Sequence, residues 1–305
     1  MARVVLTRTL PFEAVDRLRA QHDVTVWEAA VPPSPEELRD LAKDAEGLLC
    51  LLTDRIDANT MEAAPHLRAI SNLAVGTDNV DLEAATARGI PVGSTPDVLT
   101  DATADLAFAL LLASARRLPQ AAAAVRQGEW VTWEPARWLG QEVTGATLGI
   151  VGPGRIGQAV ARRAQGFGMT VLDSKSTPLD ELLERADFVS LHIPLTDDTR
   201  HLIDARALAR MKPTAHLVNT ARGPIVDHQA LAQALHEGTI AGAALDVTDP
   251  EPLPPDDPLL DAPNLIVLPH VASGTHRTRE RMAQMAVDNL EAGLDGRPMP
   301  HQANG

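Results

Sequence analysis

An α/β fold with two doubly wound parallel sheets is predicted by three observations. The chain is long enough for two cores, β-like runs alternate with helical ones along it, and a glycine-rich turn sits between a strand and a helix near its middle. At 305 residues it exceeds one average domain. Strands that alternate with helices form parallel sheets covered on both faces.

In the first hundred residues, strands are predicted at 3–7, 24–27, 47–52 and 69–74, with helices at 12–20 and 35–44, the second opened by Ser34. An apolar helix without Gly or Pro follows at 100–115. A second helical run leads into a loop where Trp130, Trp133 and Trp138 supply three of the chain's four tryptophans. Large aromatics are costly to expose, so this arm is expected to pack on its own core or on a second subunit. A second series of strands is predicted at 147–151, 170–172, 188–191, 216–219, 242–246 and 265–268. A last helix covers about 275–294, and a polar tail returns the chain toward its first domain.

Composition narrows the function. Hydrophobic residues make up 45% of the chain, yet no apolar run has the length of a membrane span. A net charge of −14 and the absence of Lys/Arg clusters oppose nucleic-acid binding but leave room for a small anionic ligand. One cysteine, Cys50, lies in an apolar run and is expected to be a buried structural thiol. With no disulfide framework and no secretory core at the amino terminus, a cytoplasmic location is expected.

The segment TLGIVGPGRIGQAVARRA is a strand, a G-x-G-x-x-G turn and an amphipathic helix in succession. That context marks a Rossmann dinucleotide site. Gly152 allows the tight turn, Gly154 the approach of a pyrophosphate, and Gly157 close packing of the helix. The amides around Arg155 and Ile156 meet the anion. The next strand ends in VLDSKS. Asp173 there suits a ribose hydroxyl, whereas Lys175, one of three lysines in the chain, suits a 2′-phosphate together with Ser174 and Ser176. On balance NADP(H) is favoured over NAD(H).

Later strands end in polar groups: Arg222, Asp246 followed by Glu251, and His270. Chemistry in doubly wound sheets collects at those ends. A guanidinium can hold a carboxylate and polarise a keto oxygen. An imidazolium can donate a proton to that oxygen, and a neighbouring carboxylate favours the charged ring. Together they suit reduction of a 2-keto acid, without a metal.

The segments GPGRIGQAVARR, NTARGPIVD, LDVTDPEPLP and LPHVASGTHRTRERM, with NLAVGTDNVDLEAATARGIPV and TDATADLAFALLLASARR, resemble the D-isomer-specific 2-hydroxyacid dehydrogenases, and within them the glyoxylate/hydroxypyruvate reductases. The resemblance implies a Rossmann domain at 99–275 that carries a dimerisation helix and arm. It is inserted in a flavodoxin-like substrate-binding domain formed by 1–98 and 276–305. It assigns Arg222 as the substrate-orienting residue, Glu251 as the histidine's partner and His270 as the acid/base. It places Asp246 near the nicotinamide, and Thr103, His192, Pro194, Thr220 and Ser273 at cofactor- or site-facing positions. It gives the substrate carboxylate to the amides of Val75 and Gly76, with Leu52 nearby. It makes the protein a homodimer in which Trp138 reaches the partner's active site.

Two departures stand out. Relatives carry roughly ten more residues, including a short strand, between Gly168 and Asp187, and Ala272 replaces a glycine common after the histidine. The expected reaction is NAD(P)H-dependent reduction of glyoxylate or hydroxypyruvate to the D-2-hydroxy acid. The alternatives are another D-2-hydroxyacid, phosphite, or a non-catalytic dinucleotide sensor of the corepressor kind.

Overall fold

Short apolar runs, most of them followed by a helix, become the βα repeats of two units. The computed structural model describes residues 1–305, which divide into Met1–Leu99 with Ser273–Gly305, and Thr100–Ala272. In the first unit the chain forms β1 (Arg3–Leu6), α1 (Glu13–Gln21), β2 (Asp23–Val26), α2 (Pro35–Ala42) and β3 (Gly47–Cys50). It continues through α3 (Ala58–Ala63), β4 (Ala69–Asn72), α4 (Leu82–Ala87) and β5 (Val92–Gly93). All five strands are parallel, in the flavodoxin-like order β2-β1-β3-β4-β5.

Helix α2 opens on a capping box in which Ser34 and Glu37 each accept the other's backbone amide, worth on the order of 1 kcal/mol. Helices α3 and α4 and strand β5 lie outside the elements expected from sequence. Six-residue helices are too short to show a 3.6-residue period, and only their Asp57 and Asp81 caps announce them. Strands β3 and β4 stop two residues earlier than expected because the side chains of Asp54 and Asn72 draw the next residues into turns.

The second unit begins with α5 (Thr100–Ala115) and α6 (Leu118–Arg126), followed by β6 (Thr147–Val151), α7 (Arg155–Gln165) and β7 (Thr170–Asp173). Next come α8 (Leu179–Arg185), β8 (Phe188–Leu191), α9 (Ala205–Arg210), β9 (His216–Asn219), α10 (His228–Glu237), β10 (Gly242–Leu245) and β11 (Leu265–Val267). The six strands are parallel, in the order β11-β10-β9-β8-β6-β7. Alternation along the strands builds two cores. Leu148, Ile150, Phe188, Val218 and Ala244 pack with α5 and α7 residues. Val151, Val189, Leu191, Leu217 and Leu245 pack with residues of α8, α9 and α10.

A Rossmann sheet has the order 3-2-1-4-5-6. Here residues 174–178 pass directly from β7 into α8, so the strand beyond β7 is missing and β7 is the outer, half-exposed edge. This is the structural form of the shortening seen in the sequence.

His216 of β9 is 4% exposed, and its Nδ1 lies 2.7 Å from Ser114 Oγ of α5. Burial pushes its imidazole down to about 4. An unfolded chain holds that proton up to about 6.5, so the unfolded state binds more protons between the two values. Unfolding free energy is therefore expected to fall by about 3 kcal/mol as pH drops from about 6.5 to about 4. Denaturant titrations across that range measure the slope, and His216→Asn should lose this share of it.

Residues 127–140 form an irregular arm held by Arg137, which pairs with Glu129 at 2.7 Å and Glu134 at 3.1 Å and lies 5.0 Å from the Trp138 ring centroid. Trp130 is 71% and Trp133 80% exposed, so the arm does not bury them in its own core. The chain then returns to the first unit as α11 (His276–Leu294), whose Ala286 carbonyl accepts from Ser71 Oγ of β4. The tail pairs along β5, with Ser94 N donating to His301 O and Ala303 N to Val92 O. No helix is long and apolar enough to cross a membrane.

Candidate active site

At the carboxyl end of β6, Gly152 adopts φ +94°, a left-handed conformation that glycine enters without steric cost. A Cβ there would lie 2.5 Å from Ile193 Cγ2 and 2.7 Å from the His192 carbonyl, so the turn presses against the chain leaving β8. Gly154 caps α7 with open space beside it, and Gly157 rests against the Gly152 carbonyl. The first amides of α7, at Arg155 and Ile156, have no acceptor within the helix, which makes that end an anion site.

Two buried polar atoms at neighbouring strand ends, His192 Nδ1 and Thr220 Oγ1, have no hydrogen-bond partner in the protein. Burial pushes the His192 imidazole down to about 4, so the ring is neutral, and its Nε2 sits 2.8 Å from Ser190 Oγ. Orphaned buried groups are costly unless a ligand satisfies them. The open turn, the amides at the start of α7 and these two atoms fit a dinucleotide.

At the end of β7, Asp173 Oδ1 accepts from the amides of Lys175 (2.9 Å) and Ser176 (3.0 Å), and Ser174 Oγ accepts from Gly152 N at 3.0 Å. Burial opposes ionisation of Asp173, yet those two amides hold its carboxyl below the usual range. The Lys175 side chain is exposed.

The three residues expected to carry the chemistry follow β9, β10 and β11, which are neighbours in the sheet. His270 Nδ1 lies 2.5 Å from Glu251 Oε1, with the side chains 20% and 29% exposed. That contact leaves the opposite ring nitrogen, Nε2, available for a proton acceptor. His270 has φ +54°, unusual for a residue with a side chain. Asp246 holds it there. Its carbonyl accepts from His270 N at 2.9 Å, and its two carboxylate oxygens accept from the amides of Val271 and Ala272 at 2.8 Å. Burial pushes the Asp246 carboxyl up, against those amides. In the structure, then, this carboxylate works on the turn that carries the histidine.

Arg222 is half-buried, and its Nη1 donates to the Ala221 carbonyl. Its turn is tied by Asn219, which accepts from Ala221 N at 3.0 Å and donates to Arg222 O at 2.8 Å. Gly223 brings that turn against the next one, since a Cβ on it would lie 2.0 Å from the Thr248 carbonyl. Asn219 and Gly223 escaped sequence reasoning; their only signal was their place in NTARG beside the arginine. Thr103 is buried on α5, Pro194 is exposed after β8, and Ser273 is buried just beyond the histidine turn.

In the first unit, the loop after β4 carries two amides, Val75 N and Gly76 N, with no acceptor in the protein. Ala74 O accepts from Thr95 N at 2.8 Å, and Gly76 O accepts from Asn72 Nδ2 at 2.9 Å. Adjacent unpaired amides of this kind make an anion-binding concavity. Leu52 lies in the neighbouring loop after β3.

The chain is similar to known proteins along its whole length. A family model for the D-isomer specific 2-hydroxyacid dehydrogenase, NAD binding domain, matches residues 108–272. The chain is 50% identical to the glyoxylate reductase of Korarchaeum cryptofilum over 317 aligned residues, spanning 99% of this chain and 96% of that one. It is 47% identical to the glyoxylate reductase of Aeropyrum pernix, with the same coverage. A Thermus thermophilus protein of known crystal structure superposes with a TM-score of 0.93 at 51% identity, over 99% of both chains. An NADPH-dependent glyoxylate/hydroxypyruvate reductase from Sinorhizobium meliloti, solved with NADP and malonate, gives 0.86 at 34% identity, covering 99% of this chain and 96% of its own. The family model spans more than half of the residues and full-length relatives share about half of the sequence, so this chain belongs to the D-isomer-specific 2-hydroxyacid dehydrogenase family.

Proposed function

We propose that this dehydrogenase reduces glyoxylate and hydroxypyruvate to glycolate and D-glycerate, using NADPH in preference to NADH. The observation that carries the reading is the 2.5 Å contact between His270 and Glu251 at the strand ends of a dinucleotide-binding sheet. When bound, the reduced nicotinamide supplies a hydride to the keto carbon. The chain's own residues do the rest. His270 gives a proton from Nε2 to the keto oxygen while Glu251 fixes the ring through Nδ1. Arg222 orients the substrate, and the substrate's carboxylate is assigned to the amides of Val75 and Gly76, with Leu52 beside it.

Gly152, Gly154, Gly157, Arg155 and Ile156 are assigned to the pyrophosphate, and Thr103, His192, Pro194, Thr220, Asp246 and Ser273 to the rest of the dinucleotide. For the 2′-phosphate, Lys175 and the hydroxyl of Ser174 are the ligands. Asp173 is the competing group, but one of its oxygens is already occupied by two amides. The exposed Trp130 and Trp133 support a homodimer closed through the arm, with Trp138 directed to the partner's site. Sedimentation velocity is expected to give a dimer, and a monomer would remove that part of the reading.

The test is turnover. Purified protein should consume NADPH with glyoxylate or hydroxypyruvate, and kcat/KM should be higher than with NADH. Lys175→Ala should lower kcat/KM for NADPH by about tenfold and leave NADH unchanged, as expected for loss of one charged phosphate contact. Turnover confined to another 2-hydroxyacid or to phosphite would move the substrate assignment. Dinucleotide binding with no turnover across the panel would favour the sensor.

A further inference from the structure

The loops after β3 and β4 are joined by a relay of two side-chain amides that none of the roles above uses. Asn79 Nδ2 donates to the carbonyls of Leu51 and Asp54, both at 3.0 Å. Asn79 Oδ1 accepts from Asn72 Nδ2 at 2.9 Å, and the same Asn72 nitrogen donates to the Gly76 carbonyl at 2.9 Å. The relay therefore runs from the backbone of the Leu52 loop to the backbone that follows the two free amides.

Each end is otherwise constrained. In the β3 loop, Asp54 Oδ2 accepts from Leu51 N at 2.7 Å while Asp54 N donates to Leu51 O, closing residues 51–54 into one rigid turn. Thr7 Oγ1 also donates to Asp54 Oδ2, and Arg8 Nη2 lies 3.5 Å from Oδ1, so this turn is pinned to the end of β1. In the β4 loop, the Ala74 carbonyl is held by Thr95 N. A peptide is planar and trans, so fixing the Ala74 carbonyl fixes the direction of the Val75 N–H in the same plane. Holding the Gly76 carbonyl sets the plane on the other side of the Gly76 amide.

The Asn79 side chain spans both loops. We propose that Asn79, acting through Asn72, is a positioning residue that sets the aim of the Val75 and Gly76 amides against the Leu52 turn, and thereby the affinity for the substrate carboxylate. This rests on the assignment of those amides to the carboxylate.

The experiment compares Asn79→Ala with the unaltered enzyme for glyoxylate, hydroxypyruvate and the unreactive inhibitor oxalate. KM for both substrates and Ki for oxalate should rise in parallel by about tenfold, the carboxylate being what the three share. Meanwhile kcat and the KM for NADPH should stay within about twofold. A purely structural asparagine would lower the melting temperature and leave KM and Ki in place, which would overturn the proposal, as would a fall in kcat at constant KM. Asn79→Ser keeps one donor and covers the case in which the alanine variant does not fold. It should show an intermediate rise, and unaltered constants in it would also overturn the proposal. If the unaltered protein reduces no 2-keto acid, the function assignment fails; if it does and the variants match it, only the role of Asn79 fails.

Discussion

His270→Gln is expected to lower kcat for 2-keto acid reduction by about 10³-fold, the middle of the range that positioned proton donors supply. Glutamine keeps much of the ring's bulk and can still donate to Glu251, but it has no proton to give to an alkoxide. The dissociation constant of NADPH, read by fluorescence, should not change, because His270 follows β11, four strands along the sheet from the β6 that carries the glycine turn. A fall of less than about tenfold would mean that the proton comes from elsewhere. Glu251→Gln should cost less, since the ring remains and only its orientation and charge partner weaken.

Gly223→Ala is expected to reduce kcat/KM by about 10²-fold, the size of effect that follows from displacing a substrate-orienting group by about 1 Å. The added methyl would meet the Thr248 carbonyl at 2.0 Å and the Asp249 amide at 2.7 Å, both backbone atoms that cannot rotate away. The turn carrying Arg222 must therefore lift from the turn that leads to Glu251. Dinucleotide binding should survive, because Gly152 and Gly154 lie on another strand end. Crystals of the variant should show the guanidinium displaced. Full activity would show that these two turns need not touch.

What could be read from sequence divides along physical lines. The strands of the second sheet were foreseen within a residue because their buried runs are bounded by glycines and polar turns, and α5 because a helix apolar on nearly all sides has no reason to be exposed. His270 and Glu251 could be nominated because polar groups at strand ends are chemically conspicuous. Asp246 was nominated too, but for the nicotinamide and not for the histidine turn that its carboxylate holds. Asn219, Asn72 and Asn79 were not, because they work through backbone carbonyls and amides, and a hydrogen bond to a main-chain atom leaves no pattern in the one-letter code. Nor did the exposure of Trp130 and Trp133, since a tryptophan has the same letter whether its ring meets the core or water.

Strand β7, with residues 170–173 at the rim of its sheet, leaves a row of main-chain donors and acceptors unpaired on one flank. An engineer seeking to graft a peptide onto this scaffold would find there a template that accepts a new strand by simple addition. Every other strand of that sheet except β11 is hemmed in on both sides, so lengthening the link at 174–178 should cost the host little. Four residues, ended by the turn at Asp173, also make the flank too short to recruit strangers.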